Sequence, residues 1–203
     1  MLTLYHCKNA RSFRALWMLE EVGLEYDLRV LPFPPRFRQP EYLEDNPLGT
    51  IPLLLDGETR MTESAAICEY IAAKYAPDLA VSPDSPGYGD YLNALHHGEA
   101  TLTFPQTLVL RYLMLEPEDR KNPSVAADYK KWFQARLIWL DSQLQKSDFV
   151  ADGRFTAADV SVAYALLLAT TLKQFDPFSE RIEAYWQRMQ DRPAYKRAVK
   201  AQG

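Results

Sequence analysis

The stretch "NPLGTIPLLLDGETRMTESAAICEYI", residues 46–71, contains the signals that decide the fold. Asp56-Gly57, set between "IPLLLD" and "TRMTE", is a strong short-range signal for a β-hairpin. The segment after it repeats apolar residues at helical spacing, and Ser64 is placed to cap that helix. The stretch therefore predicts two antiparallel strands followed by a helix.

Pro52 stands at the start of the first of these strands, where it removes a backbone hydrogen-bond donor. Proline within sheets is confined mainly to a strand's first residue, an edge or a bulge. Pro52 either simply begins the strand or leaves main-chain groups available for another purpose.

The residues before this stretch predict a βαβ unit of about 30 residues. "LTLYH" is a short strand pattern, "SFRALWMLEEVGL" has helical spacing and ends at Gly23, and "YDLRVLPF" alternates as a second strand. The Pro- and Arg-rich loop that follows allows one short helix near residues 40–45. The first 76 residues thus predict the order β-α-β, loop, β-β-α.

Residues 76–89, "APDLAVSPDSPGYG", have the composition of a linker, and only helical patterns follow them. One of these helices opens with Thr156 and Asp159. This pair predicts a capping box, with Asp in place of Glu or Gln, and a structural role.

Composition excludes several classes of function. The chain has 23 Lys and Arg against 27 Asp and Glu, a net charge of −4, without basic clusters, which argues against nucleic acid as a partner. The longest apolar run, residues 160–172, is too short to cross a membrane. The opening residues lack the pattern of a secretory signal. Two cysteines without a CxxC motif indicate no zinc site and fit a cytoplasmic protein.

Taken in order, "NPLGTIPLLLDG", "TESAAICEYI", "RFTAADVSVAYALLLA" and "RPAYKRA" resemble cytosolic glutathione S-transferases of bacterial type. The resemblance covers almost the whole chain. It implies an α/β thioredoxin-like N-terminal domain and an all-α helical C-terminal domain. The expected boundaries are residues 1–77 for the glutathione-binding domain, 78–88 for the linker, and 89–203 for the helical domain that contributes the electrophile pocket. It also implies a homodimer.

The resemblance gives Pro52 a role. It implies a cis peptide bond between Ile51 and Pro52, which leaves the N–H and C=O of Ile51 for glutathione, bound like an added strand. Glu63 is expected to pair with the γ-glutamyl ammonium of glutathione. Ser64 and the helix N-terminus are expected to bind its carboxylate, favoured by the helix dipole.

A glutathione transferase must also stabilise the thiolate, because the thiolate is the nucleophile. The stabilising donor is expected in the loop "YHCKNARSFR". Many bacterial relatives carry Ser-Arg-Ser-x-x-Arg here, and Ala10 replaces the first serine. The candidates are Ser12, Asn9 and Arg11, together with main-chain N–H groups at the helix start. Ser12 could instead be the helix N-cap, and Tyr5 is a further, weaker candidate.

Other reactive side chains are assigned no catalytic role. Cys7 is read as a small packed residue, because it lacks a CxxC partner and lies early for a catalytic cysteine. The adjacent histidines of "HHGEATLTF" point about 100 degrees apart on a helix, so metal binding is not expected. The residues considered near the second substrate are Tyr91, His97, Phe104 and Tyr112.

The function expected from the sequence is conjugation of the glutathione thiolate, with glutathione as co-substrate, to small hydrophobic electrophiles. Two alternatives use the same fold. One is a glutathione-dependent disulfide or peroxide reductase, and the other is a non-catalytic binding or regulatory protein.

Overall fold

The computed structural model describes residues 1–203. It contains a four-stranded sheet with strand order β2-β1-β3-β4. The strands are β1 (Leu2–His6), β2 (Tyr26–Val30), β3 (Leu53–Asp56) and β4 (Thr59–Met61). β1 runs parallel to β2 and antiparallel to β3, and β3 runs antiparallel to β4. The predicted βαβ unit and hairpin are therefore confirmed.

Helix α1 (Ser12–Val22) makes the crossover between β1 and β2 and ends at Gly23 as predicted. Its first eight residues are buried, so it packs along most of its length. Two short helices follow, α2 (Pro35–Arg38) and α3 (Tyr42–Asp45), where the sequence had suggested one. Helix α4 (Ser64–Tyr75) comes after the hairpin.

The loop that leads into β3 is shaped by buried polar contacts. The Asn46 side-chain amide donates to the carbonyl of Thr50 at 2.8 Å, and the Tyr42 hydroxyl donates to the same carbonyl at 2.7 Å. Gly49 has φ 58°, and a Cβ at this position would lie 2.6 Å from the Cβ of Arg36. Since real Cβ atoms do not approach so closely, the tight course of the loop requires glycine at 49.

The chain divides into two compact units. One comprises Met1–Ala80 together with Met189–Gly203, and the other comprises Val81–Arg188. This division differs from the expected boundaries at the end of the chain, because residues 189–203 group with the sheet and not with the helices.

Helix α10 (Pro193–Ala201) explains this grouping by its packing on α1. The Tyr195 ring meets the Trp17 ring edge-on, with centroids 5.0 Å apart. The Arg192 guanidinium donates to both carboxylate oxygens of Glu21, at 2.6 and 2.9 Å. Bidentate pairs of this kind fix orientation as well as adding energy, so α10 is held firmly against α1.

The second unit is helical. Its helices are α5 (Tyr88–His96), α6 (Phe104–Leu110), α7 (Pro123–Leu144), α8 (Ala157–Leu172) and most of α9 (Glu180–Asp191), with π-helical turns at His97–Thr103 and Arg111–Leu115. α8 passes very close to the first π-helical turn, since a Cβ on Gly98 would lie 2.5 Å from the Ser161 hydroxyl oxygen. No helix of the chain has both the length and the apolar character that a membrane crossing requires.

The predicted capping box opens α8. The Asp159 carboxylate accepts from the Thr156 N–H at 2.9 Å, and the Thr156 hydroxyl accepts from the Ala158 N–H at 3.3 Å. The same carboxylate also accepts from the Val150 N–H at 3.0 Å and from the Tyr185 hydroxyl at 3.1 Å. Asp159 thus ties the loop before α8 and helix α9 to the start of α8.

We predict that Asp159→Asn lowers the free energy of unfolding by about 2 to 3 kcal/mol, because an NH₂ group would face donors that now bind a buried carboxylate. Urea denaturation measures the change. The matched control is Asp148→Asn, which removes an exposed ion pair to Arg188. That change should cost less than about 1 kcal/mol. Equal costs for the two variants would contradict the central role of Asp159.

Candidate functional site

Two chain segments meet at one end of the sheet, where the central strands β1 and β3 lie side by side. In the β1–β3 pairing Tyr5 lies opposite Leu53, and extending this antiparallel register by two residues places Ile51 beside Cys7. Ala10 and Ile51 pack against the same buried cluster, which includes Tyr5, Cys7 and Leu53. The loop after β1 and the residues before β3 are therefore neighbours.

The peptide bond between Ile51 and Pro52 is cis, as predicted, and a second cis bond joins Phe33 and Pro34. Pro52 is buried and Ile51 is half-buried. The N–H and C=O of Ile51 make no hydrogen bond within the protein. The main chain of Ile51 thus has unused hydrogen-bonding groups, and their binding of an extended ligand stays a prediction.

The start of α4 differs from the prediction in one respect. Ser64 was expected to cap the helix, but the cap position is taken by Glu63, which has extended backbone angles and makes no side-chain capping bond. Ser64 is the first helical residue and is buried. Glu63 is exposed at the rim.

Arg14 links the start of α4 to α1. This fully buried arginine donates from Nη1 to the Ser64 hydroxyl oxygen at 3.2 Å. Because a guanidinium can only donate, the Ser64 oxygen is the acceptor and its own proton remains for another acceptor. The contact brings the N-terminal ends of α1 and α4 together beside the β1–α1 loop.

Ser12 lies in a buried environment, whereas a donor to a ligand thiolate has to be accessible to the ligand. Its side chain is fully buried, and its hydroxyl oxygen lies 2.8 Å from Nδ1 of His6 and accepts from the Cys7 N–H at 3.1 Å. It is not the N-cap of α1 either, because Arg11 holds that position. These bonds give Ser12 a role in shaping the end of β1.

Asn9 and Arg11 are the less buried members of the predicted group. Asn9 has φ 56°, a left-handed conformation that asparagine tolerates better than most residues. Its backbone N–H donates to Oε1 of Gln202 at 3.0 Å, and its side-chain Oδ1 accepts from Nε2 of Gln202 at 2.9 Å. Asn9 is therefore held rigidly at the bend of the loop.

The Tyr5 hydroxyl has both of its hydrogen-bond partners outside the β1–α1 loop. The hydroxyl donates to the Asp45 carboxylate at 2.7 Å and accepts from Arg29 at 2.6 Å. Desolvation, followed by the bond to Asp45, raises the pKa of Tyr5. The Tyr5 hydroxyl therefore ties β1 to α3 and β2.

Both cysteines are fully buried and unpaired. Burial raises the pKa of the Cys7 thiol and of the Cys68 thiol to about 12 in each case. Neither thiol is ionised near neutral pH, which agrees with the interpretation of Cys7 as a packed residue.

In the helical unit, the residues considered for the second substrate differ in exposure. Tyr91 is buried, whereas Phe104 is 52% exposed. The His97 ring stacks on Trp139 with centroids 4.0 Å apart, and burial lowers the pKa of His97 to about 4. His97 is therefore a neutral, packed ring.

Sequence reasoning missed three residues of this region: His6, Arg14 and Gln202. Arg14 follows the helix start on the same face as buried apolar residues, where an arginine is unusual and could have been noticed. His6 is in a strand without any motif around it. Gln202 is 193 residues from Asn9, so no local pattern could have connected them.

Comparison with known proteins agrees with this architecture. Residues 10–74 match the family model for the N-terminal domain of glutathione S-transferases. Glutathione S-transferase GstA of Escherichia coli O157:H7 is 33% identical over 173 residues, which cover 80% of this chain and 79% of that protein.

Two solved structures are also similar. Glutathione transferase URE2P6 from Phanerochaete chrysosporium, in complex with oxidized glutathione, is 28% identical with a TM-score of 0.85, covering 99% of this chain and 96% of that one. The theta class glutathione S-transferase from Xanthomonas axonopodis pv. citri, with glutathione bound, is 25% identical with a TM-score of 0.82, covering 98% and 96%.

The sheet order, the cis-proline and the helices that follow define the glutathione S-transferase architecture: a thioredoxin-like N-terminal sheet and a helical C-terminal part. With the identity to the Escherichia coli protein, they show that the chain belongs to the glutathione S-transferase family.

We predict that stability falls as pH drops from 6.5 towards 4, because burial lowers the pKa of His6, and likewise of His97, from 6.5 to about 4. The unfolded chain then binds protons that the folded chain excludes, so stability is full above pH 6.5 and is lost below it. Unfolding free energies measured across this range should fall less in His6→Asn than in the wild type. The double variant with His97→Asn should be flatter still. An unchanged slope in both variants would contradict the assignment.

Proposed function

We propose that this protein is a glutathione transferase that conjugates the glutathione thiolate to small hydrophobic electrophiles. One observation carries the proposal: the unpaired main chain of Ile51 and the β1–α1 loop lie at the same end of the central strands, and the Arg14–Ser64 hydrogen bond joins the start of α4 to the start of α1. Each of the three can bind a different part of the tripeptide.

The cysteinyl residue would pair with the N–H and C=O of Ile51 as an added strand. The γ-glutamyl carboxylate would bind the first N–H groups of α4, which have no intrahelical partner, and the Ser64 hydroxyl. Arg14 supports this role by donating to the Ser64 oxygen, so the Ser64 hydroxyl can use its own proton as a donor. The exposed Glu63 carboxylate would pair with the γ-glutamyl ammonium.

The chemical requirement on the protein is modest. A free thiol with a pKa near 8.5 is half ionised at pH 7 after a shift of about 1.5 units, or roughly 2 kcal/mol. One or two hydrogen bonds to the thiolate supply this, since each contributes about 1.5 to 3 kcal/mol. The activated thiolate then attacks the electrophile and displaces its leaving group or adds to its double bond.

Asn9 and Arg11 are the donors that we favour for the thiolate. Both lie in the β1–α1 loop and are less buried than Ser12. The Arg11 guanidinium adds a positive charge that favours the ionised thiol directly. Ser12 belongs to the same predicted group, but we assign its hydroxyl to His6 and Cys7, which it contacts.

Glutathione-dependent reduction of disulfides is the second candidate. It would use the same thiolate, and the Phanerochaete chrysosporium relative was solved with oxidized glutathione. A mixed disulfide on Cys7 is disfavoured, because burial keeps that thiol protonated and out of contact with solvent. Glutathione itself would be the reductant.

Two assays test the proposal. The protein should be retained on immobilised glutathione and should turn over a chlorinated nitroaromatic compound. Turnover of a mixed disulfide in place of the nitroaromatic would establish the reductase, and binding without either turnover would establish a non-catalytic protein.

We also propose a cytoplasmic homodimer, for which sedimentation equilibrium should give twice the mass of the chain.

We predict that Glu63→Gln and Ser64→Ala each raise the KM for glutathione by roughly 10- to 100-fold, because each removes a bond to a charged group of the tripeptide. Steady-state kinetics with glutathione as the varied substrate measures the change. Glu58→Gln, on the exposed hairpin turn, is the matched control and should keep the wild-type KM. Wild-type affinity in both site variants, with normal folding, would exclude this binding mode.

We predict that Asn9→Ala and Arg11→Ala lower kcat by about tenfold or more and raise the pKa of the bound thiol, because each removes a donor from the thiolate. The ultraviolet absorbance of the thiolate, followed against pH, gives that pKa. Ser12→Ala should mainly reduce stability, since its hydroxyl is buried. If only Ser12→Ala raised the thiol pKa, the donor would be Ser12.

A further inference from the structure

The carbonyl of Thr50 is held inside the protein by two buried side chains. The Asn46 amide donates to it from Nδ2 at 2.8 Å, and the Tyr42 hydroxyl donates to it at 2.7 Å. Asn46 is 3% exposed and Tyr42 is 2% exposed. Because a carbonyl oxygen has two lone pairs, these two donors use its full accepting capacity. The Thr50 carbonyl is therefore fixed in one direction, towards helix α3 and the residue that follows it.

This carbonyl belongs to the same peptide unit as the N–H of Ile51. The peptide bond between Thr50 and Ile51 is trans, since the two cis bonds of the chain lie before Pro34 and Pro52. A trans peptide unit is planar, and its C=O and N–H groups point in opposite directions. Fixing the Thr50 carbonyl towards α3 therefore directs the Ile51 N–H away from α3.

No group of the protein accepts a hydrogen bond from the Ile51 N–H. The residue beside Ile51 in the extended β1–β3 register is Cys7, but the main chain of Cys7 is engaged elsewhere. Its N–H donates to the Ser12 hydroxyl oxygen and its carbonyl accepts from the Ala10 N–H, both at 3.1 Å. The Ile51 N–H thus has a fixed direction and no partner in the neighbouring strand.

We propose that Asn46 and Tyr42 are positioning residues for glutathione binding. By holding the carbonyl of the Thr50–Ile51 peptide unit, they direct its N–H to the carbonyl of the cysteinyl residue of the tripeptide. The inference rests on the proposed function, in which the tripeptide pairs with Ile51 as an added strand. A donor whose direction is set before the ligand arrives loses little conformational entropy on binding. Asn46 is itself held, because its Oδ1 accepts from the Leu48 N–H at 3.2 Å and its N–H donates to the Tyr42 carbonyl at 2.9 Å.

Two substitutions change the donors to the Thr50 carbonyl and little else. Tyr42→Phe removes one donor and keeps the aromatic ring. Asn46→Asp keeps Oδ1 but replaces the NH₂ donor by a second oxygen, and this acceptor would face the carbonyl without a proton between them. Tyr42→Phe, the milder change, carries the test alone if Asn46→Asp does not fold. The matched control is Tyr26→Phe, which removes the bond from the Tyr26 hydroxyl to Glu20 within the same unit.

We expect the Kd for glutathione, measured by calorimetry, to rise about fivefold in Tyr42→Phe and about tenfold or more in Asn46→Asp. KM for glutathione should rise in parallel, with kcat at saturating glutathione within about twofold of wild type, because the Ile51 bond is the same before and during the reaction. Tyr26→Phe should lose stability but keep the wild-type Kd. A loss of stability in the Tyr42 and Asn46 variants with an unchanged Kd would show a merely structural role and would overturn the inference.

Hydrogen exchange of the Ile51 N–H gives a readout that does not depend on catalysis. In the free wild type this N–H should exchange rapidly, since it has no acceptor, and saturating glutathione should slow its exchange by about tenfold or more. The slowing should be weaker in Tyr42→Phe and Asn46→Asp, and equal slowing in all three proteins would overturn the inference. Binding that leaves the Ile51 N–H unprotected would overturn it while the transferase function stands. A wild-type protein that binds no glutathione would instead refute the proposed function, and this proposal with it.

Discussion

The site depends above all on the antiparallel pairing of β1 with β3. This pairing fixes Tyr5 opposite Leu53 and so brings Ile51 next to the residues that follow β1. Because side chains on a strand alternate between faces, a slip of one residue would turn Ile51 and its neighbours to the other side of the sheet. The buried loop contacts before β3, from Asn46 to the Thr50 carbonyl, hold this register in place.

A second constraint comes from far along the sequence. Helix α10 packs on α1 and carries Gln202 to the β1–α1 loop, so residues near opposite ends of the chain form one polar network. Such a network is fully satisfied here, which makes it rigid and specific. The sheet unit therefore includes residues 189–203, although the whole helical unit, Val81–Arg188, separates them in sequence from Met1–Ala80.

Much of the fold follows from local patterns in the sequence. The hairpin at Asp56-Gly57 and the capping box at Thr156 each rest on a few adjacent residues, whereas the cis bond before Pro52 was implied by the family resemblance, and all three are present. Predictions that depend on backbone angles at a helix start were less exact. Glu63, not Ser64, holds the cap position of α4, because its extended angles precede the first helical residue.

Long-range packing limits how much of the candidate site can be predicted from the sequence. The sequence assigned Ser12 by chemical type, but exposure decides which hydroxyl can meet a ligand, and Ser12 is enclosed by His6 and Cys7. The sequence could not identify Gln202, because its partners become its neighbours only when α10 packs on α1. Local patterns therefore selected the loop after β1 by residue type, whereas the burial and partners of each residue in it required the three-dimensional structure.

The enclosure of the two cysteines has a consequence for their reactivity. Alkylating agents and oxidants attack ionised, accessible sulfur, and Cys7 and Cys68 are neither. The protein can therefore meet reagents that modify thiols without being inactivated by them. In the transferase that we propose, the sulfur of the bound tripeptide is the one such reagents would reach.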